Sequence, residues 1–122
     1  MAEFVKFDVP KEIAEKQLEL VEKIRKKGKI RVGVNEVTKA VERGKAKLVL
    51  IARDVSPPEI VMHLPIICAE KDVAFSFVDT RKELGEKAGI AVGTSAIVVL
   101  EEGDAKKEIA DIGAKLKELA KA

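Results

Sequence analysis

The chain has 122 residues, 47% of them apolar and 36% charged, with a net charge of +2, one cysteine and one histidine. That length fits a single domain able to bury its own core without disulfide or metal support. No apolar run approaches the ~20 residues that span a bilayer, and the lone Cys68 and lone His63 exclude an internal disulfide and any metal or acid-base constellation needing a second histidine or a cysteine pair.

The N-terminal stretch Met1-Ala2-Glu3-Phe4-Val5-Lys6 lacks a basic flank followed by an apolar segment, so no secretory signal is expected and the expected location is the cytoplasm. Few amides and many Lys and Glu resemble the composition of proteins that work at high temperature.

Pro10, after Asp8, is placed for the first turn of a helix in which Ile13, Gln17, Leu20, Val21 and Ile24 recur near helical spacing until Gly28. Ile30 to Gly33 reads as a short strand. Asn35 is then expected to cap a helix whose Val37, Ala40 and Val41 face inward and which stops at Gly44. Residues 47 to 52 are apolar enough for a central strand covered on both faces.

Ser56 is expected to cap a further helix from Pro57, carrying Ile60, Val61 and Leu64, which Pro65 interrupts and which resumes over residues 66 to 71. Val73 to Val78 reads as a strand, Thr80 to Lys87 as a short helix and Ser95 to Leu100 as a last strand. Ile109, Ile112, Leu116 and Leu119 line one face of a final helix. Alternation of this kind predicts an α/β fold, a central four-stranded mixed sheet between helical layers.

Charge is unevenly distributed. Residues 23 to 53 hold eleven Lys or Arg against Glu36 and Glu42, a surplus of nine, so the remainder carries −7. Such a segment reads either as a polyanion-facing surface or as a solvated lysine-rich face.

Within it lies Gly33-Val34-Asn35-Glu36-Val37-Thr38-Lys39, which places the only asparagine beside a carboxylate at a helix start, with Lys39 one turn on. By itself the pair is a cap followed by a favourable first-turn acid. In its basic context it also suits recognition of base edges, with Lys39 and helix N-terminal N–H groups on phosphates. The segment Gly89-Ile90-Ala91-Val92-Gly93-Thr94-Ser95 is either a buried connection or a flexible apolar loop that presses on an exposed base. Cys68, flanked by Ile66 and Ile67, reads as an inert buried thiol, His63 as structural near a helix end, and Glu101 and Glu102 as loop charge. No GxGxxG or GxxxxGK[ST] fingerprint is present.

Taken together, Gly33-x-Asn35-Glu36-x-Thr38-Lys39-Ala40, Glu42-Arg43-Gly44, and Ala52-x-Asp54-Val55-x-Pro57-Pro58-Glu59-Ile60-Val61-x-His63-Leu64-Pro65 resemble the kink-turn-binding family of archaeal ribosomal protein L-seven-Ae. The likeness continues through Leu84-Gly85 and Ala88-Gly89-Ile90 and covers nearly the whole chain.

The resemblance implies a three-layer α/β/α sandwich that binds kink-turn and kink-loop RNA, sharply bent helices with tandem sheared G·A pairs. It implies partners in the large ribosomal subunit, box C/D and H/ACA guide ribonucleoproteins and ribonuclease P, contacting ribosomal RNA, guide RNA or ribonuclease P RNA alongside other core proteins. No enzyme activity, cofactor or membrane is expected, and the free protein is expected to be a monomer. By position, Asn35 and Glu36 would contact the guanines of the sheared pairs, and Lys39 and Arg31 base edges or phosphates. Ile60, Ile90, Ala91 and Val92 would pack on the extruded nucleotide and bent backbone, with Gly33 approaching the RNA through its main chain. Lys26 and Lys27 are expected to add phosphate contacts. Val32, Val34 and Arg53 stand where lysine, threonine and glutamate are common in the family. A protein-docking adaptor of the same fold with weakened RNA binding is the alternative reading.

Overall fold

The run Leu48–Ala52 forms β2, buried at every residue, as a strand without a polar side chain on either face must be. A computed structural model describes residues 9–121. Asp8 and the segment read for a secretory signal lie outside the described residues. β2 is flanked by β4 (Ala96–Glu101), antiparallel, and β3 (Phe75–Val78), parallel, while β1 (Lys29–Val32) pairs antiparallel with β4. The sheet is thus mixed, in the order β1-β4-β2-β3. The parallel pair is joined by a helical crossover, because parallel strands cannot be linked by a tight turn.

Among the described residues, five α-helices cover the sheet. α1 (Lys11–Lys27) packs with α4 (Arg81–Ala88) and α5 (Lys106–Lys121), and α2 (Val34–Glu42) packs with α3 (His63–Glu70), giving the α/β/α sandwich. α1 buries Gln17, Leu20, Val21 and Ile24 along one stripe, with Glu12 in its first turn and Arg25, Lys26 and Lys27 in its last, complementing the helix dipole. The chain's one glutamine has a specific role: the buried Gln17 Nε2 donates to the Phe77 carbonyl at 2.7 Å, tying α1 to the edge strand β3. Each fully buried branched side chain of the shared core, Val21, Leu50 and Leu64 among them, contributes about 1.5–3 kcal/mol relative to exposure. Ile109, Ile112 and Leu116 bury one face of α5 in the same core.

Two expectations are corrected here. Ser56 caps no helix. Residues Pro58–Ile60 make only a single 3-10 turn, preceded by Pro57 with no side-chain cap, and α3 begins later, at His63. Pro65 does not interrupt a helix either. It is the third residue of α3, within the first turn, where an N–H has no partner inside the helix and proline costs nothing in hydrogen bonding.

Candidate nucleic-acid interface

The turn from β1 into α2 depends on Gly33. Its φ of 100° and ψ of 147° lie in a region that only glycine occupies readily. The Gly33 amide donates to the Ala96 carbonyl at 2.9 Å and its own carbonyl accepts from Val37 at 3.0 Å, so α2 starts on the sheet itself. Gly33 therefore holds the cap position expected for Asn35, and no side chain caps the helix. Asn35 and Glu36 fall on the first helical turn instead, both exposed. Their amide and carboxylate bond to no other described residue, and the same holds for the exposed side chains of Arg31 on β1 and Lys39 on α2.

The topology brings the other candidates to this end of the sheet. Ala52, the last residue of β2, donates to the Ser95 carbonyl at 2.9 Å, and Arg53 donates to the Val78 carbonyl at the end of β3 at 2.8 Å. The ends of β1, β2 and β3 thus meet the beginning of β4, and the connections over 53–62 and 89–95 emerge beside the first turn of α2. Ile60 on the first connection is 44% exposed and Val92 on the second 71% exposed. Ala91 is exposed and Ile90 half-buried. The reading of 89–95 as a buried connection fails at its tip.

The 89–95 loop is held, not free. The Thr94 amide donates to the Arg81 carbonyl at 3.1 Å and the Thr94 hydroxyl to the Ala96 carbonyl at 3.2 Å. Asp54 Oδ1 accepts the Arg81 amide at 2.8 Å, and Thr80 Oγ1 accepts the Glu83 amide at 3.1 Å, so two side chains satisfy first-turn donors of α4. The Thr38 hydroxyl donates to the Val34 carbonyl at 2.9 Å and lies 2.8 Å from His63 Nε2, linking α2 to the start of α3. His63 opens α3 and does not close a helix. Neither link was legible beforehand, because Asp54 and Arg81 stand 27 residues apart, Thr38 and His63 25 apart, and local spacing carries no sign of either.

The basic segment divides over the molecule. Lys23 pairs with Glu108 at 2.8 Å, Lys27 with Asp104 at 2.9 Å and Arg53 with Asp79 at 3.8 Å. Lys26 and Lys27 sit before β1, at the opposite end of that strand from Gly33, and Lys27 is engaged by Asp104, so any phosphate they meet would lie away from Asn35. The hydrogen bond from Lys27 holds the Asp104 carboxyl below its ordinary value and raises the Lys27 ammonium above its own. Arg31 and Lys39, close to Asn35 along the chain, are exposed cations that no described residue pairs. Among the described residues no group of three or more His, Cys, Asp or Glu is arranged to hold a metal ion.

Residues 15–109 match the model of the Ribosomal protein L7Ae/L30e/S12e/Gadd45 family. The chain belongs to that family. It is also similar to the Giardia lamblia 15.5kD RNA binding protein, with 31% identity and a TM-score of 0.89 over 98% of this chain and 99% of that one. The family match spans β1 to β4 and all the candidate site residues.

Proposed function

We propose that this family member is an RNA-binding protein that recognises kink-turn and kink-loop RNA and holds it in the bent form. The observation that carries the reading is the pair Asn35 and Glu36, exposed with unengaged side chains on the first turn of α2, beside a tethered loop that presents Val92 to solvent.

An amide and a carboxylate on adjacent residues match the donors and acceptors of purine edges. In regular A-form RNA the deep, narrow major groove hides those edges, and a kink with sheared G·A pairs exposes them. Gly33 allows the main chain to come close, and the first-turn N–H groups of α2, with Lys39 and Arg31, suit the backbone phosphates. Ile60 and the 90–92 tip offer apolar surface to a base that has left the stack. The similarity to a 15.5kD RNA binding protein supports the same direction. No bond is made or broken: the protein binds the bent population of RNA and shifts the equilibrium towards it. The resemblance of the recognition motifs suggests the large ribosomal subunit, box C/D and H/ACA guide particles and ribonuclease P as its settings.

The test is a titration at fixed salt against a short kink-turn RNA and a control whose sheared G·A pairs are replaced by Watson-Crick pairs. Tight binding to the first alone is expected. Equal, weak binding to both overturns the reading and leaves the fold as a protein-docking module.

A further inference from the structure

Hydrogen bonds and intervening stretches of main chain together close a circuit around the candidate interface. Val34, on the first turn of α2, follows Gly33, whose amide reaches the Ala96 carbonyl at 2.9 Å. That oxygen also accepts the Thr94 hydroxyl, Thr94 reaches Arg81 through its amide, and Arg81 reaches Asp54. From Asp54 the chain passes Ile60 and arrives at His63, whose Nε2 lies 2.8 Å from the Thr38 hydroxyl, and Thr38 returns to the Val34 carbonyl. The circuit contains every loop that carries a candidate contact. Among the described residues, His63 is the side chain whose hydrogen bond closes it between α3 and α2.

The chemistry at that closure is specific. A threonine hydroxyl has one proton, and here it is donated to the Val34 carbonyl. With the hydroxyl proton so placed, Nε2 of His63 is assigned as the donor to Oγ1, which still offers lone pairs. Thr38 is at once an acceptor from α3 and a donor to the first turn of its own helix. A hydroxyl bonded back to the carbonyl four residues earlier tends to bend a helix, and the His63 contact is made to the same oxygen. Asn35 and Glu36 lie between those two bonded residues, Val34 and Thr38.

We propose that His63 is a positioning residue for RNA recognition: through Thr38 it sets the first turn of α2, and hence the directions of Asn35 and Glu36, without touching the RNA. The proposal rests on the RNA-binding reading above. Pre-organisation of this kind acts by sparing the complex the ordering of its contact residues.

The experiment compares wild type, His63→Leu, Thr38→Val, the double variant, His63→Gln and Thr38→Ser for affinity to the short kink-turn RNA, at several salt concentrations, with circular dichroism to verify folding. His63→Leu is expected to weaken binding about fivefold, the worth of one hydrogen bond, Thr38→Val at least as much because it also removes the bond to Val34, and the double variant no further than Thr38→Val. His63→Gln, which keeps an N–H donor near the Nε2 position, and Thr38→Ser, which keeps the hydroxyl, are expected to recover most of the affinity. The salt dependence is expected to match wild type, since no phosphate contact is lost. Wild-type affinity in folded Thr38→Val, additive losses in the double variant, or a flattened salt dependence in His63→Leu each overturns the proposal. A wild-type protein that fails to distinguish the kink-turn from its Watson-Crick control marks failure of the RNA reading instead, before any variant is compared.

Discussion

The Val92 carbonyl lies against the α-carbon of Gly85, so close that a β-carbon at position 85 would collide with it. In this way α4 seats the loop whose tip exposes Val92. On helix propensity alone, Gly85→Ala should stabilise the protein by about 1 kcal/mol. The opposite is expected, because the obstacle is backbone and cannot turn aside. The variant should melt at lower temperature, and residues 90–93 should shift their amide resonances. A raised melting temperature would show that the loop moves away without cost.

Glu36→Ala should weaken kink-turn binding at least tenfold, since a good bidentate base contact is worth roughly 1–3 kcal/mol. Its stability should be unchanged, because the exposed carboxylate bonds to no other described residue. Asn35→Ala should behave likewise, having no capping bond to lose. Calorimetric melting beside a binding titration checks both, and unchanged affinity in Glu36→Ala removes that residue from the interface.

Cations should separate by position. Lys39→Ala and Arg31→Ala are expected to lower affinity and flatten its dependence on salt, each by about one phosphate contact. Lys27→Ala should leave the salt dependence as it is, and an NMR titration should show the Asp104 pKa moving back up, since Lys27 is what holds it down. A flattened slope in Lys27→Ala would place the far end of the sheet on the RNA.

How far these positions could be read in advance differed by element. β2 was plain, because five successive apolar residues leave no solvent face. The stripes of α1 and α5 were plain through their spacing. The start of α2 was misplaced because asparagine is a favoured cap, whereas the conformation of Gly33 and its bond to Ala96, a partner 63 residues away, decide where the helix begins. Pro65 misled for a related reason: proline breaks a helix interior but not a first turn, and only the bonds around Met62 and His63 show which applies. Of the candidate site, the residue types were legible. The ties through Thr38, Asp54 and Thr94 were not, since each joins segments distant in sequence.

Cys68 is buried, and desolvation pushes its thiol up to about 12 from an ordinary 9.0. The native protein should therefore resist thiol reagents at pH 8 and react only on unfolding. The sign for stability follows: a folded-state value above the unfolded one favours the native state fully below about pH 9, and this contribution is lost as pH rises towards 12. Cys68→Ala should lack that alkaline decline in denaturant midpoint. Rapid labelling of the native thiol at pH 8 contradicts the assignment.

The oxygen on which the two halves of the interface meet belongs to the main chain of Ala96, where the Gly33 amide and the Thr94 hydroxyl both arrive. No replacement of the Ala96 side chain deletes that atom. A mutational scan will record position 96 as a small buried site sensitive only to volume, and the joint will be invisible in it. Only chemistry that alters the backbone, such as an ester in place of the Gly33 amide, would reveal how much of the site hangs on one carbonyl.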